Sequence, residues 1–570
     1  MKEVTGQTVD MDSGRPEFTN REKLLTMFGV LLVMLLASLD QTIVSTAMPR
    51  IIGELNGIDR YTWVSTAYLL ASTVMIPIYG KLSDMFGRKL IFLIGVILFL
   101  AGSAMCGAAQ DMNQLIAFRA FQGLGAAALM PIAMAVVGDL FTPRERGKWQ
   151  GVTGSIFGLS SVLGPTVGGW ITENVSWRWV FYVNLPVGVI ALLVLIFLMP
   201  ALHTRGKDAR VDYIGCLFLV AATVPMMLGL SWGGSEYPWL SWQVLGLIIF
   251  GLVFFVVFFS YEAFLARREK QPIIDPGLFK NNIFSISVVI TMLMNMGLFG
   301  CIFFLPLYAQ GVLGISATNS GLILSPMMIS MIITSVFSGF LVSKIGKYKI
   351  IAISGMIVAL GGALLLLRLD INSVWNDLLI AMIVMGLGLG FGMSLYTLIV
   401  QNSVPYKKMG QATSALTFFR QIGSTIALSA MGSIMNTGYV DDFHNALPAK
   451  LRQLLESIPL PTDHSKTLLS AFDNPNVLTS PDMQEKMKTG FIAVGKAMHV
   501  DGLQMYNQVM EAVKVGLTQG IHNVFILGTM LMALALVVVF FLKEIPLRGK
   551  SKPAEAAEDA ANAVSPVAIH

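Results

Sequence analysis

The sequence predicts an all-α membrane protein of fourteen spans, arranged as two six-helix halves with two extra helices between them. Three observations lead there. Hydrophobic residues make up 55% of the 570-residue chain and charged residues 13%, with a mean hydropathy of +0.69. An ordinary soluble domain carries about 25% charged residues, so this chain cannot cover a surface facing water, and it is too apolar to be disordered. The apolar residues also fall in runs long enough to cross a bilayer, about 20 residues each as helix. Finally, Lys and Arg gather on alternate connections between the runs.

The runs are 24–48, 61–80, 89–108, 114–138, 150–172, 179–199, 212–232, 241–262, 284–309, 319–343, 349–368, 376–401, 411–435 and 520–542. They divide the chain into a polar tail 1–23, a first half 24–199, a linker 200–283 holding two runs, a second half 284–543 and a tail 544–570. Residues 1–23 lack the apolar stretch and small-residue cleavage site of a secretory leader, so the first run is expected to stay as a span. With both termini on one side, the short segments of that side hold 26 Lys and Arg, and the short loops opposite hold four: Arg50, Arg60, Arg178 and Arg368. The positive-inside rule then makes both termini cytoplasmic. The 437–519 segment becomes one long extracellular loop, exempt from the rule by its length. It carries amphipathic stretches at Leu447–Ile458 and Met483–Met498, expected to form a solvated cap over the outer mouth, a gate, or a dock for an adaptor protein.

The net charge of +5 is spread over these short clusters, which argues for topology rather than nucleic-acid binding. Cys106, Cys216 and Cys301 lie inside apolar runs, with spacing for neither a disulfide framework nor a metal. No GxxxxGK[ST] phosphate loop and no nucleophile–base constellation is present. No cofactor, no metal and no enzymatic reaction are therefore expected, and the driving force must be an ion gradient.

Ionisable residues deep in the runs are few. Asp40, Arg119 and Arg420 stand there, where a charge costs at least ~2.5–3.5 kcal/mol and marks a functional site by default. Asp40, the deep acid, is expected to carry a proton, attract a cationic substrate, or do both in competition; the plainer role is a hydrogen-bonded structural aspartate. Arg119 is expected to face a central cavity and act on Asp40, or else to cap backbone carbonyls. Arg420 is read as snorkelling from the start of its helix. A degenerate repeat aligns Gly80–Arg88 with Gly339–Lys347, each after the second helix of a half, with Asp84 replaced by Ser343.

Five motifs occur in order: Leu39-Asp40-Gln41-Thr42-Ile43-Val44-Ser45-Thr46-Ala47-Met48-Pro49; Gly80 to Lys89, with Gly80, Asp84, Gly87 and Arg88; Arg119-Ala120-Phe121-Gln122-Gly123-Leu124-Gly125; Gly158 to Gly169, with Gly158, Gly164, Pro165, Gly168 and Gly169; and Trp177 to Gly188, reading WRWxFxxNxPxG. Together they resemble the fourteen-span drug:proton antiporters of the major facilitator superfamily, the EmrB/QacA group, over residues 24–543. Ser45 departs from that group's usual Asn. The resemblance implies the major facilitator fold and proton-coupled export of amphipathic, cationic drugs by alternating access in the plasma membrane. It assigns proton coupling to Asp40 and Arg119, and a conformational charge relay to Gly80, Asp84, Gly87, Arg88 and Asp139. The glycine-rich element becomes a leak-tight packing motif. Asn295, Phe299, Tyr308, Gln310 and Tyr396 are candidates for the substrate cavity. The expected partners are small amphipathic or cationic molecules, protons and lipid, with the protein a monomer. A specific-metabolite exporter (of a siderophore, an amino acid or a self-made antibiotic) is the alternative within transport, and a non-transporting receptor the alternative outside it.

Overall fold

The computed structural model describes residues 18–547 except 56–59, 201–210, 235, 269, 316–322, 461–462, 473–480 and 499–500, together with 3–4, 7–10 and 15–16. The basic connection around Arg205, Lys207 and Arg210 and all but the start of the 544–570 tail lie outside the described residues.

Each predicted run becomes a helix. The first half holds α1 Asn20–Leu55, α2 Tyr61–Phe86, α3 Arg88–Gly107, α4 Met112–Leu140, α5 Pro143–Asn174 and α6 Trp179–Leu198. The inserted pair is α7 Tyr213–Trp232 and α8 Trp242–Arg267. The second half holds α9 Asn282–Gly311, α10 Ser325–Ile345, α11 Lys349–Leu366, α12 Trp375–Ser403, α13 Met409–Ala446 and α14 Gly502–Phe540. Polar side chains at the membrane edges fix several starts. Glu22 accepts from the Thr19 amide at 2.8 Å, Asp111 from the Gln114 amide at 2.9 Å, and Ser241 from the Val244 amide at 3.3 Å, supplying acceptors for helix-end donors.

Among the described residues, twelve helices are long and apolar enough to cross a membrane by length and composition. The two that are not, α5 and α13, are rich in Gly, Ser and Thr. They are also helices through which the halves touch, α5 against α10 and α13 against α2. A helix whose neighbours are protein does not need a lipid-compatible surface. Lipid-compatible faces lie elsewhere, as at Phe197, Leu217, Val256 and Phe541, all exposed.

Among the described residues, the basic connections at Lys89, Lys349 and Lys408 mark one end of the bundle, here called the basic end. The inserted pair packs on itself, and α7 covers the seam between α2 and α13 at the opposite end. The Trp63 and Trp232 rings meet edge-on at 5.9 Å, and Trp239 Nε1 donates to Ser433 Oγ at 2.8 Å. The described parts of the 437–519 segment place helices on both expected amphipathic stretches. α13 runs on to Ala446 and α14 starts at Gly502, with amphipathic helices Ala449–Ser457 and Pro481–Met498 between them. Tyr439, Phe443, Leu451, Leu455, Phe472 and Phe491 are buried there in a core continuous with that of the second half.

Candidate functional site

Three arrangements converge on the interface between the halves. The first is a latch at the basic end. Arg88 Nε donates to Asp139 Oδ2 at 2.9 Å, its Nη2 lies 2.5 Å from Asp84 Oδ1, and its Nη1 donates to Ser83 Oγ at 2.6 Å. The other oxygen of Asp84 crosses to the second half and accepts from the Gln411 amide, in the first turn of α13, at 2.8 Å. A carboxylate is favoured there by the helix dipole and the free first-turn amides. The helices approach closely because Gly80 and Gly410 have no side chain: a Cβ on Gly80 would lie 1.9 Å from Ser414 Oγ, and one on Gly410 2.1 Å from Arg88 Nη1. Gly87 has φ +95°, a conformation suited to glycine, and lets α3 start one residue after α2 ends. Its repeat counterpart Gly346 has φ +74°, and Gly339, the counterpart of Gly80, makes the equivalent close approach, its Cβ 2.0 Å from Gly147 O.

The second arrangement is a sealed ion pair. Asp40 is 1% exposed and lies inside the first half. Arg119 Nη1 donates to its Oδ2 at 2.7 Å; Gln122 Nε2 and Asn184 Nδ2 donate to its Oδ1 at 2.8 and 2.9 Å. Arg119 Nη1 also reaches Gln122 Oε1 at 2.8 Å, and Asn184 holds Ser103 Oγ at 3.0 Å. The Arg119 guanidinium lies 4.1 Å from the centre of the Tyr68 ring. Around Asp40, Thr42 and Thr46 of α1 pack on α5, where Cβ atoms at Gly164 and Gly168 would lie 2.0 and 2.4 Å from their hydroxyls. Gly158 of the same element instead meets Ile332 of α10, and Gly169 has nothing within 4 Å. Pro165 lies within α5 between the two glycines that pack on α1.

The third is the cavity. A central chamber of about 120 Å³ is lined from the first half by residues including Met34, Gln41, Tyr68 and Phe157, and from the second by Asn295, Phe299, Thr417 and Arg420. Beyond it, toward the end opposite the latch, a wider space of about 660 Å³ shares Leu69, Phe299 and Gln421 with the chamber and is bounded also by α7 and by Ser470 of the cap. The halves are therefore shut at the basic end and parted at the other.

This corrects several expectations. Asp40 and Arg119 do not line the chamber; Tyr68 does, and its ring stacks on Arg119. Arg420 is not a snorkelling residue. It stands eleven residues into α13, about 16 Å along it, and its side chain borders the chamber. Asn295 and Phe299 line the chamber and Tyr396 borders a cleft beside it. Tyr308 and Gln310 do not. Tyr308 is nine residues beyond Phe299, half a turn round the helix, and donates to Asp370 O at 2.6 Å. Gln310 is eleven residues beyond, on the same face but about 16 Å further along. Gln122 and Asn184 stand in the quoted motifs but were given no role, and Gln411 was missed. The first two were findable as polar residues in apolar runs, Gln122 one turn from Arg119; Gln411 acts through its backbone amide and leaves no side-chain signal.

A sequence model described as Major Facilitator Superfamily matches residues 30–428. Multidrug transporter protein MdtP of Bacillus subtilis (strain 168) is 40% identical over 552 residues, covering 95% of this chain and 97% of that protein. Multidrug resistance protein 3 of the same organism is 40% identical over 423 residues, covering 74% and 81%. Among solved structures, the human organic anion transporter MFSD10 (TETRAN) matches with a TM-score of 0.53 at 14% identity, over 72% of this chain and 93% of that one, a likeness of fold alone.

Proposed function

The chain belongs to the major facilitator superfamily, and on that premise we propose that it exports amphipathic drugs or toxic compounds across the plasma membrane in exchange for protons, by alternating access. The observation that carries this reading is the uneven closure of the two halves around one chamber, latched at the basic end through Asp84 and Gln411 and open at the other. With the basic end cytoplasmic, as the Lys and Arg distribution favours, this is the state that has released its cargo outward. The names of the two Bacillus relatives support drugs as the cargo.

In this reading Asp40 takes up the proton. Protonation removes the negative charge that holds Arg119, and a buried guanidinium without its partner is costly. Arg119 then relaxes toward Gln122 Oε1 and Val64 O, the other acceptors it already touches. Tyr68, stacked on Arg119 and facing the chamber, passes that change to the wall that the cargo meets. Proton and cargo thus compete through a shared side chain rather than for one carboxylate. The test is substrate-induced change of lumenal pH in proteoliposomes, using amphipathic dyes of each charge. Wild type should move protons against dye, and Asp40→Asn should not, at equal reconstitution. Normal proton-coupled efflux by Asp40→Asn removes Asp40 from the mechanism.

A further inference from the structure

The deep guanidiniums of this protein are answered in different ways. Arg119 faces Asp40, Arg88 faces Asp84 and Asp139, and Arg146 donates to the carbonyls of Phe141 and Gly138. Arg420 differs from all three. Its side chain borders the central chamber, and among the described residues no Asp or Glu lies within ion-pair distance of it. Among the described residues, neither the chamber nor the wider space beyond it is lined by an Asp, Glu, Lys or His, so Arg420 is the formal charge on that wall. A second observation lies in the adjoining cleft. Tyr396 is 1% exposed, its hydroxyl has no hydrogen-bond partner among the described residues, and it borders this cleft of about 10 Å³, beside the chamber, together with Arg420 and Asn295. Asn295 Nδ2 donates to the Arg420 carbonyl at 3.1 Å and so fixes the backbone from which the guanidinium projects. The remaining wall is mainly apolar and aromatic, including Met34, Met130, Phe157 and Phe299.

We propose that Arg420 and Tyr396 form a subsite for the acidic group of the cargo, so that the preferred substrates are amphipathic organic anions, a carboxylate or sulfonate on an apolar body. This rests on the chamber being the transport site, as read above. A planar guanidinium and a phenol hydroxyl are both donors, and a carboxylate or sulfonate supplies the acceptors they lack. In a chamber of low polarity the attraction is stronger than in water, and a cation brought there meets a like charge. The cationic cargo expected from the sequence would need an acid on this wall, and Asp40 is enclosed behind Tyr68. Exchange of a proton for an anion also moves charge in one direction only: positive charge enters with the proton and negative charge leaves with the cargo.

The experiment uses three probes sharing one body, 1-pyrenebutyrate, its neutral amide, and the corresponding trimethylammonium, with the full-length protein in proteoliposomes. Wild type should transport the butyrate best, with an inward current. Arg420→Gln should lose on the order of ten- to a hundredfold in kcat/KM for the butyrate, the span expected for a hydrogen bond to a charged group, while its rate for the amide stays within a factor of two. Arg420→Lys should recover part of the loss, and Tyr396→Phe should lose several-fold on the anion alone. Should Arg420→Gln fail to fold, these two variants decide the matter. Better transport of the ammonium than of the butyrate by wild type overturns the proposal and leaves proton antiport standing. Equal loss on all three probes in Arg420→Gln, with no anion-selective loss in Tyr396→Phe, also overturns it, because the residue is then structural. Transport of none of them by protein with a native melting temperature overturns both the subsite and the reading of the chamber.

Discussion

A methyl group at Gly80 should turn the transporter toward its other state. The Cβ of Gly80→Ala falls 1.9 Å from Ser414 Oγ and 2.3 Å from Ser414 Cβ. Ordinary contacts are about 3.5–4 Å, and rotating the hydroxyl away leaves the Cβ clash in place. The α2 and α13 backbones must therefore part by on the order of 1–2 Å. Overpacking of this kind costs ~1–3 kcal/mol. The same displacement stretches the 2.8 Å bond from the Gln411 amide to Asp84, a charged hydrogen bond worth ~1.5–3 kcal/mol. Only the state closed at the basic end bears this penalty, because the contact is lost when the halves part there. At ~3 kcal/mol the equilibrium shifts more than a hundredfold, enough to make a minor open state the major one. The assay is double electron–electron resonance between spin labels at Leu90→Cys on α3 and Ile350→Cys on α11, both exposed near the basic end, in a background lacking Cys106, Cys216 and Cys301. The distance distribution should lengthen in Gly80→Ala. Gly361→Ala is the control, since a Cβ there meets nothing within 4 Å. An unchanged distribution in both Gly80→Ala and the bulkier Gly80→Leu refutes the latch.

Arg119→Met should lower stability by ~3–5 kcal/mol by stranding the Asp40 carboxylate, and Arg119→Met with Asp40→Leu should regain most of it; thermal unfolding that shows the double variant no more stable than the single one contradicts the account of the pair. Asp275 lies outside the spans on the segment linking α8 to α9. Burial alone would raise its carboxyl, but the Lys408 ammonium and the Gly277 amide outweigh it and hold the pKa below the usual carboxylate range. A depressed carboxylate contributes stability that is present above about pH 4 and lost as the pH falls through its folded value. Melting temperatures taken from pH 6 to pH 3 should therefore drop further for wild type than for Asp275→Asn, and parallel curves would remove the pair from the stability of this segment. Glu262 Oε2 accepts from the Ile273 amide at 2.9 Å, while its Oε1 and the Oδ2 of Asp212 both abut Gly215. Glu262→Gln keeps an acceptor and removes the confrontation of carboxylates, so it should leave the melting temperature unchanged or raise it. Glu262→Ala strands the amide and should cost ~1–3 kcal/mol; a Gln variant as unstable as the Ala variant would show that the charge itself is needed.

The helices were readable because a bilayer imposes one length and one composition on every lipid-facing helix. The same rule explains where composition falls short. α5 and α13 each pack a Gly-, Ser- and Thr-bearing face on the other half, so they look less like spans than the rest, although α5 still exposes Leu159, Leu163 and Trp170. Asp40 and Arg119 stood out as charges in apolar runs that could answer each other, and the packing of α1 on α4 joins them directly at 2.7 Å. Which way they face was not readable. A charge in a helix announces a polar neighbour but not whether that neighbour is another side chain or a water-filled chamber, which is why Arg119 was expected on the cavity and Arg420 at the membrane edge. The amphipathic stretches announced the helices of the 437–519 segment, but the core they share was obscured for a related reason. Its core is built from single aromatic residues on separate elements, Tyr439, Phe472 and Phe491, which form no run in the sequence.

The degenerate repeat says something about how the halves move. Gly80 and Gly339 are equivalent, and each brings its helix against the other half. The α2–α13 seam adds a charged bond from Asp84 to a helix amide, whereas Ser343 stands in the corresponding place on α10. The α5–α10 seam is instead long, and one hydroxyl bond crosses it, from Ser335 Oγ to Gly151 O at 3.4 Å. It runs from Gly147 against Gly339, through Gly151 and Gly154 against Ser335, to Gly158 against Ile332, about 16 Å of helix with a glycine at each approach. One seam is thus fastened at a point and the other is a continuous bearing surface. Opening at the basic end must break a charged hydrogen bond at the first but only a long neutral one at the second, so rotation about the α5–α10 contact costs less than separation of both. That bearing helix, α5, is also the one whose Gly164 and Gly168 pack on Thr42 and Thr46 beside Asp40. A change in the packing around the ion pair therefore reaches the pivot through one continuous helix, without passing through the chamber.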